Sequence, residues 1–174
     1  YVKYLELRKA HETEPAFFFS TACWFFEQED FETGLTILYN LGELNLQDHE
    51  LYKMMAYKFR ELEQYELALP YFRKILEWRP REPQSYRDYG LCLQDAGYYQ
   101  QALDTLTLAL NRNYSADVRG LYPGIEEMLV TEINQLLALQ GKNLDASKMP
   151  KDLVLPMPVD LRVVLNWNMN DSDM

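Results

Sequence analysis

Basic residues are scarce in this chain of 174 residues, where 17 Lys and Arg stand against 27 Asp and Glu for a net charge of −10. A phosphate backbone demands clustered cations, so this balance speaks against nucleic acid as a partner. Arg73, Lys74, Arg79, Arg81 and Arg87 do gather in one stretch, but Glu77, Glu82 and Asp88 are interleaved with them, as on a solvated face. Chemistry-bearing residues are few as well. The two histidines, His11 and His49, have no Cys or Ser partner at a spacing that would specify a nucleophilic dyad. The two cysteines, Cys23 and Cys92, form no Cys-x-x-Cys pair. Gly120 and Gly124 lack the Lys-Ser/Thr that completes a phosphate-binding loop, and no Gly-x-Gly-x-x-Gly follows a strand. Carboxylate pairs such as Glu61 with Glu63 and Glu126 with Glu127 fit solvent-facing helix positions. These absences point away from an enzyme and from any cofactor or metal. No apolar run is long enough to span a bilayer, so no membrane insertion is expected of these residues.

What the chain does have is a pattern of 34 residues repeated three times without a gap, opening at Pro15, His49 and Pro83. The fourth position is aromatic throughout (Phe18, Tyr52, Tyr86), the eighth is small (Ala22, Ala56, Gly90) and the eleventh is a large hydrophobe (Phe25, Phe59, Leu93). The seventeenth is again aromatic (Phe31, Tyr65, Tyr99), the twentieth small (Gly34, Ala68, Ala102) and the twenty-fourth bulky (Leu38, Phe72, Leu106). Small residues in register let two helices approach, and large ones fill the space beside them. A strict period of this length predicts stacked helical hairpins. Thirteen tyrosines and eight phenylalanines are thereby accounted for chiefly as core.

These columns resemble the tetratricopeptide repeat, whose pattern sets a large residue at position 4, Leu then Gly or Ala at 7 and 8, Tyr at 11, Ala at 20, an aromatic at 24, Ala at 27 and Pro at 32. The third copy follows it most fully, with Tyr86, Tyr89, Gly90, Leu93, Ala102, Leu106 and Ala109. The first departs at Thr21, Gly34 and Leu46, and Pro80 fills the proline position in the second copy only. The resemblance implies an all-α, right-handed solenoid with repeats at 15–48, 49–82 and 83–116. Residues 1–14 then read as the second helix of a truncated repeat, since Tyr1, Tyr4 and Leu7 continue the frame backwards. With several helices intervening between their two repeats, Cys23 and Cys92 should lie far beyond the ~7 Å limit for a bridge, leaving two free, packed thiols.

Beyond the third copy the frame dissolves at Gly120, Pro123 and Gly124. Ile125, Met128, Leu129, Ile133, Leu136 and Leu137 then recur at spacings of three and four, with Glu126, Glu127, Glu132 and Gln135 mainly off that face. A capping helix within 117–141 is expected, covering the end of the stack as solenoids require. Gly141, Pro150, Pro156 and Pro158 mark 142–158 as an extended linker. From Val159 to Trp167 apolar and polar residues alternate, which predicts the first strand of a truncated β-domain over 159–174, followed by a turn rich in Asn and Asp. The run Asp160 to Trp167 with its acidic turn resembles the start of an uncharacterised β-rich domain that follows tetratricopeptide arrays in large bacterial proteins, a context that implies export. Asp171 and Asp173 alone offer too few oxygens for calcium, which takes about six to eight.

For function, the tetratricopeptide resemblance implies a concave groove lined by the first helix of each repeat, at positions 2, 5, 6, 9, 12 and 13. Carried onto this chain these are Phe19, Cys23, Phe26 and Glu27, then Lys53, Met54, Tyr57 and Arg60, then Arg87, Asp88, Leu91 and Gln94. Lys53, Arg60 and Arg87 are expected to pair with acidic groups of a protein or peptide partner while Phe19, Tyr57 and Leu91 hold its apolar residues. The family's chaperone-binding clamp needs Asn where Tyr57 and Asp88 stand, so a chaperone tail is not the expected ligand. Two roles follow: an interaction scaffold with a peptide or helix in its groove, or a structural spacer between an N-terminal module and a C-terminal β-domain.

Overall fold

The computed structural model describes residues 1–44 and 48–157. Among them the chain runs as helices α1 (Val2–Arg8), α2 (Pro15–Glu27), α3 (Phe31–Glu43), α4 (His49–Glu61), α5 (Tyr65–Trp78), α6 (Pro83–Asp95), α7 (Tyr99–Leu110), α8 (Ala116–Leu121) and α9 (Ile125–Gln140). Two short 3-10 turns follow, Gly141–Asn143 and Lys151–Leu153. The strand expected after Val159, and the acidic turn behind it, lie outside the described residues.

Local chemistry starts and stops each hairpin. Pro15 and Pro83 open α2 and α6 at their first turns, where a missing N–H costs nothing. Asp48 caps α4 by accepting from the Glu50 amide at 2.9 Å, and Asp30 caps α3 through the Thr33 amide at 3.1 Å. The turn between paired helices is the same in all three copies. Its left-handed residue is Glu29 (φ 61°), Glu63 (φ 57°) and Gly97 (φ 83°). The next amide reaches back to the same carbonyl each time: Asp30 to Phe25 at 3.0 Å, Gln64 to Phe59 at 2.8 Å and Tyr98 to Leu93 at 2.8 Å. This six-to-one bond closes a helix end and turns the chain into its partner helix.

The hairpins α2–α3, α4–α5 and α6–α7 pack within themselves, α6 also packs on α5, and α9 covers α7 and the flank of α6. The small-residue columns are where helices meet. A β-carbon on Gly90 would stand 2.8 Å from the Leu106 side chain, and one on Gly34 would run into the Phe26 ring, 2.6 Å from its Cδ1. Phe18, Phe59, Phe72, Ile37, Leu38, Leu41 and Met55 are fully buried in the first half of the core. Leu103, Leu106, Ile125, Leu129 and Ile133 fill the second, and Leu69 and Tyr89 touch both.

Two parts of the C-terminal region depart from expectation. Glu132, counted among residues mainly off the apolar face of α9, is 4% exposed, as is the neighbouring Asn134 at 2%. The stretch expected to be an extended linker is tied to the body as far as residue 157, which its composition did not indicate. Gln100 exchanges hydrogen bonds with the backbone of Asp145 at 3.2 and 2.8 Å. Asn111 donates to the Lys148 carbonyl at 2.9 Å, Lys148 pairs with Asp104 at 2.8 Å, and Met149 is buried. The Asn134 amide donates to the Leu153 carbonyl at 2.8 Å and accepts from the Leu155 amide at 2.7 Å. Prolines and glycines bar this stretch from being a helix, but they do not stop it lying as a strap over α7 and α9.

Candidate functional site

The first helices α2, α4 and α6 share one side of the molecule, and the space before them is a groove of about 800 Å³ that Leu121 at the end of α8 and Tyr122 just after it also line. Phe19 and Cys23 enter it from α2; Glu50, Lys53, Met54, Tyr57, Lys58 and Glu61 from α4; Gln84 and Asp88 from α6, with Glu82 just before. Met54 (42% exposed), Tyr57 (42%) and Leu121 (73%) present apolar surface there that is left open among the described residues. Periodicity explains the convergence: positions 5, 6 and 9 of a first helix lie on the face opposite the buried fourth, eighth and eleventh.

The electrostatics of the groove rest on carboxylates. Glu82 accepts from the Ser85 hydroxyl at 2.6 Å and from the Tyr122 hydroxyl. Burial by itself would raise its pKa, but these bonds, with Lys53 and Arg79 nearby, bring it below the usual carboxylate range. Asp88 is 4% exposed and accepts from Gln84 Nε2 at 2.7 Å and from the Tyr57 hydroxyl. Burial outweighs these bonds and pushes the Asp88 carboxyl above its usual range. Burial, then the adjacent Asp88 carboxyl, also pushes the Tyr57 phenol up. Lys58 pairs with Glu61 at 2.9 Å, and Glu50 lies 2.8 Å from His49 Nε2. Lys53 makes no hydrogen bond or ion pair among the described residues.

Of the twelve residues that the repeat frame assigns to the groove, Phe19, Cys23, Lys53, Met54, Tyr57 and Asp88 line it together. Phe26, Glu27, Arg60, Arg87, Leu91 and Gln94 lie outside its lining. Phe26 is 8% exposed because its ring fills the space that Gly34 leaves empty. Arg60 is engaged with Asp95 at 2.6 Å, tethering α4 to the end of α6. Arg87, expected as a cation for an acidic partner, is corrected outright. It is 3% exposed, and its guanidinium meets both Glu132 oxygens, Nε at 2.9 and 3.0 Å and Nη2 at 2.5 Å, so α9 satisfies it internally. Leu91 and Gln94 are half-buried. Sequence reasoning missed Leu121 and Tyr122, which no repeat column reaches. Glu50 and Gln84 hold the second position of their copies and Glu61 the thirteenth, so the repeat frame itself was the signal for those three.

No protein-family profile matches this chain, and no curated protein matches it. Solved structures do resemble it. A double mutant of MamA RS-1 superposes with a TM-score of 0.56 at 13% identity, over 83% of this chain and 74% of that one. MamA residues 41 to the end, from Desulfovibrio magneticus RS-1, give 0.55 at 14% identity, over 79% and 72%. YrrB, described as a TPR protein with an unusual peptide-binding site, gives 0.56 at 17% identity, over 80% and 67%. At such identities the likeness speaks to architecture, and the architecture is a tetratricopeptide-type helical solenoid.

Proposed function

We propose that this tetratricopeptide-type solenoid is a non-catalytic protein-interaction scaffold whose groove receives a segment of a partner protein. One observation carries the reading: a groove of about 800 Å³ is walled by first helices of all three repeats, with Met54, Tyr57 and Leu121 exposed in its lining. Apolar side chains held at a concave polar-rimmed surface are the usual anchor sites for a bound peptide or helix. That YrrB, of similar fold, is described as having a peptide-binding site supports the same reading.

The test is affinity capture from source-cell extract with the wild-type chain and with a Met54→Asn/Leu121→Asn variant. Both side chains are exposed, so the substitutions blunt the groove without emptying the core, and circular dichroism should be unchanged. A partner recovered by the wild type and lost by the variant is the expected result. Equal recovery by both, or none by either, would overturn the groove reading in favour of a spacer between flanking modules.

A further inference from the structure

Resting on that groove reading, we infer that the segment taken up is basic, carrying lysine or arginine among its apolar anchors. Sequence columns alone suggest an acidic partner, because three cations fall at groove positions. Two of the three are spent inside the fold: Arg60 on Asp95 at 2.6 Å and Arg87 on Glu132. Of the two ammonium groups that do line the groove, Lys58 is matched by Glu61. Lys53 is left facing Glu50, Glu82 and Asp88. Arg79 acts on Glu82 from outside the lining and sits 2.6 Å from His49 Nε2, so it does not reverse the balance within the groove.

Asp88 sharpens the assignment. Its carboxyl is buried in the groove wall, and its hydrogen-bond donors, the Gln84 amide and the Tyr57 hydroxyl, are both neutral. Arg87 and Lys53 act on the carboxyl through charge alone, without donating to it; a buried carboxylate whose hydrogen bonds come from neutral donors gains more from an incoming cation that donates to it than an exposed one does. A lysine or arginine flanked by apolar residues would place its charge at the Glu82–Asp88 end while Phe19, Met54 and Leu121 take its neighbours. The net charge of −10 adds long-range attraction for the same sign of partner.

The probes are three labelled amphipathic peptides of equal length, alternating leucine with lysine, glutamine or glutamate, titrated by fluorescence anisotropy against the full chain at about 0.15 M salt. The lysine peptide should bind about tenfold more tightly than the glutamine peptide, and the glutamate peptide most weakly. Glu82→Gln and Asp88→Asn should each weaken the lysine peptide about fivefold and leave the glutamine peptide unchanged, as expected when one charge-assisted hydrogen bond is removed. Lys53→Glu should strengthen it. Glu12→Gln/Glu43→Gln, a charge change at least as large at positions outside the lining, should weaken it far less than Glu82→Gln or Asp88→Asn, since only the screened long-range attraction is reduced.

Equal affinity of all three peptides, each lost in Met54→Asn/Leu121→Asn, would leave the groove standing and overturn the basic assignment. So would tightest binding by the glutamate peptide. Weakening by Glu12→Gln/Glu43→Gln as large as that by Glu82→Gln would reduce the attraction to diffuse charge and also overturn it. Undiminished binding of the lysine peptide to Met54→Asn/Leu121→Asn would instead defeat the groove reading itself.

Discussion

Glu132→Gln is the substitution whose consequence follows most directly from the structure. The side chains of Arg87 and Glu132 are 3% and 5% exposed, they are joined by three N–H···O hydrogen bonds, and they link α6 to the cap helix α9 across 45 residues of sequence. Burial by itself would lower the Arg87 pKa, and the Glu132 bonds and charge reverse that, so the guanidinium stays charged in the fold. Glutamine keeps the shape but offers one acceptor oxygen and no charge, leaving a buried cation with only the weaker influence of the Asp88 carboxyl to offset it. Breaking one side of such a pair costs about 3–5 kcal/mol, a large share of the ~5–15 kcal/mol that holds a domain together. At roughly 3 °C per kcal/mol for a chain of this size, the melting midpoint should fall by about 10 °C. Urea titration followed by circular dichroism gives the free energy. The companion variant Arg87→Met/Glu132→Leu removes both charges together and should lie within about 2 kcal/mol of wild type. If Glu132→Gln costs under ~0.5 kcal/mol, within the range of ordinary surface substitutions, or the double variant costs as much as the single one, the pair does not lock the cap and the argument fails.

Four further outcomes are expected. Gly97→Ala should destabilise by about 1–2 kcal/mol in thermal melts, because φ is 83° there and an added β-carbon would meet nothing within 4 Å to obscure a backbone effect. Asn134→Leu should cost about 1–3 kcal/mol and strip hydrogen-exchange protection from the Leu155 amide, since that side chain holds the strap to α9 from both its donor and acceptor ends. Asp88→Asn should gain stability relative to wild type as pH rises from 3.8. A carboxyl whose folded pKa is raised binds its proton more tightly folded than unfolded, and its ionisation therefore opposes folding as pH climbs through that window. A thiol reagent should modify Cys23 in the native chain and spare Cys92, whose side chain is fully buried with its pKa pushed up to about 12; mass spectrometry of the labelled peptides checks this.

Sequence by itself determined the repeat length, the three hairpins and the residues between their helices, because packing of identical hairpins imposes one size rule per column. Phe18, Ala22, Phe59, Ala68 and Leu106 are buried as their columns require. It also carried the shared turn, although Glu29 and Glu63 hide a left-handed position that only Gly97 announces. It did not determine which charges remain available to a partner. Arg60 finds Asp95 and Arg87 finds Glu132 at separations of 35 and 45 residues, distances at which the curvature of the stack and the placement of a cap outside the repeat frame decide who meets. Asn134 is read as one more polar residue of a helix until the strap arrives to use both ends of its amide. A column states which face of a helix a residue occupies. Whether that face meets solvent, a partner or a distant carboxylate of the same chain is settled only when the helices are assembled, and here assembly neutralised two cations and left a groove lined with carboxylates.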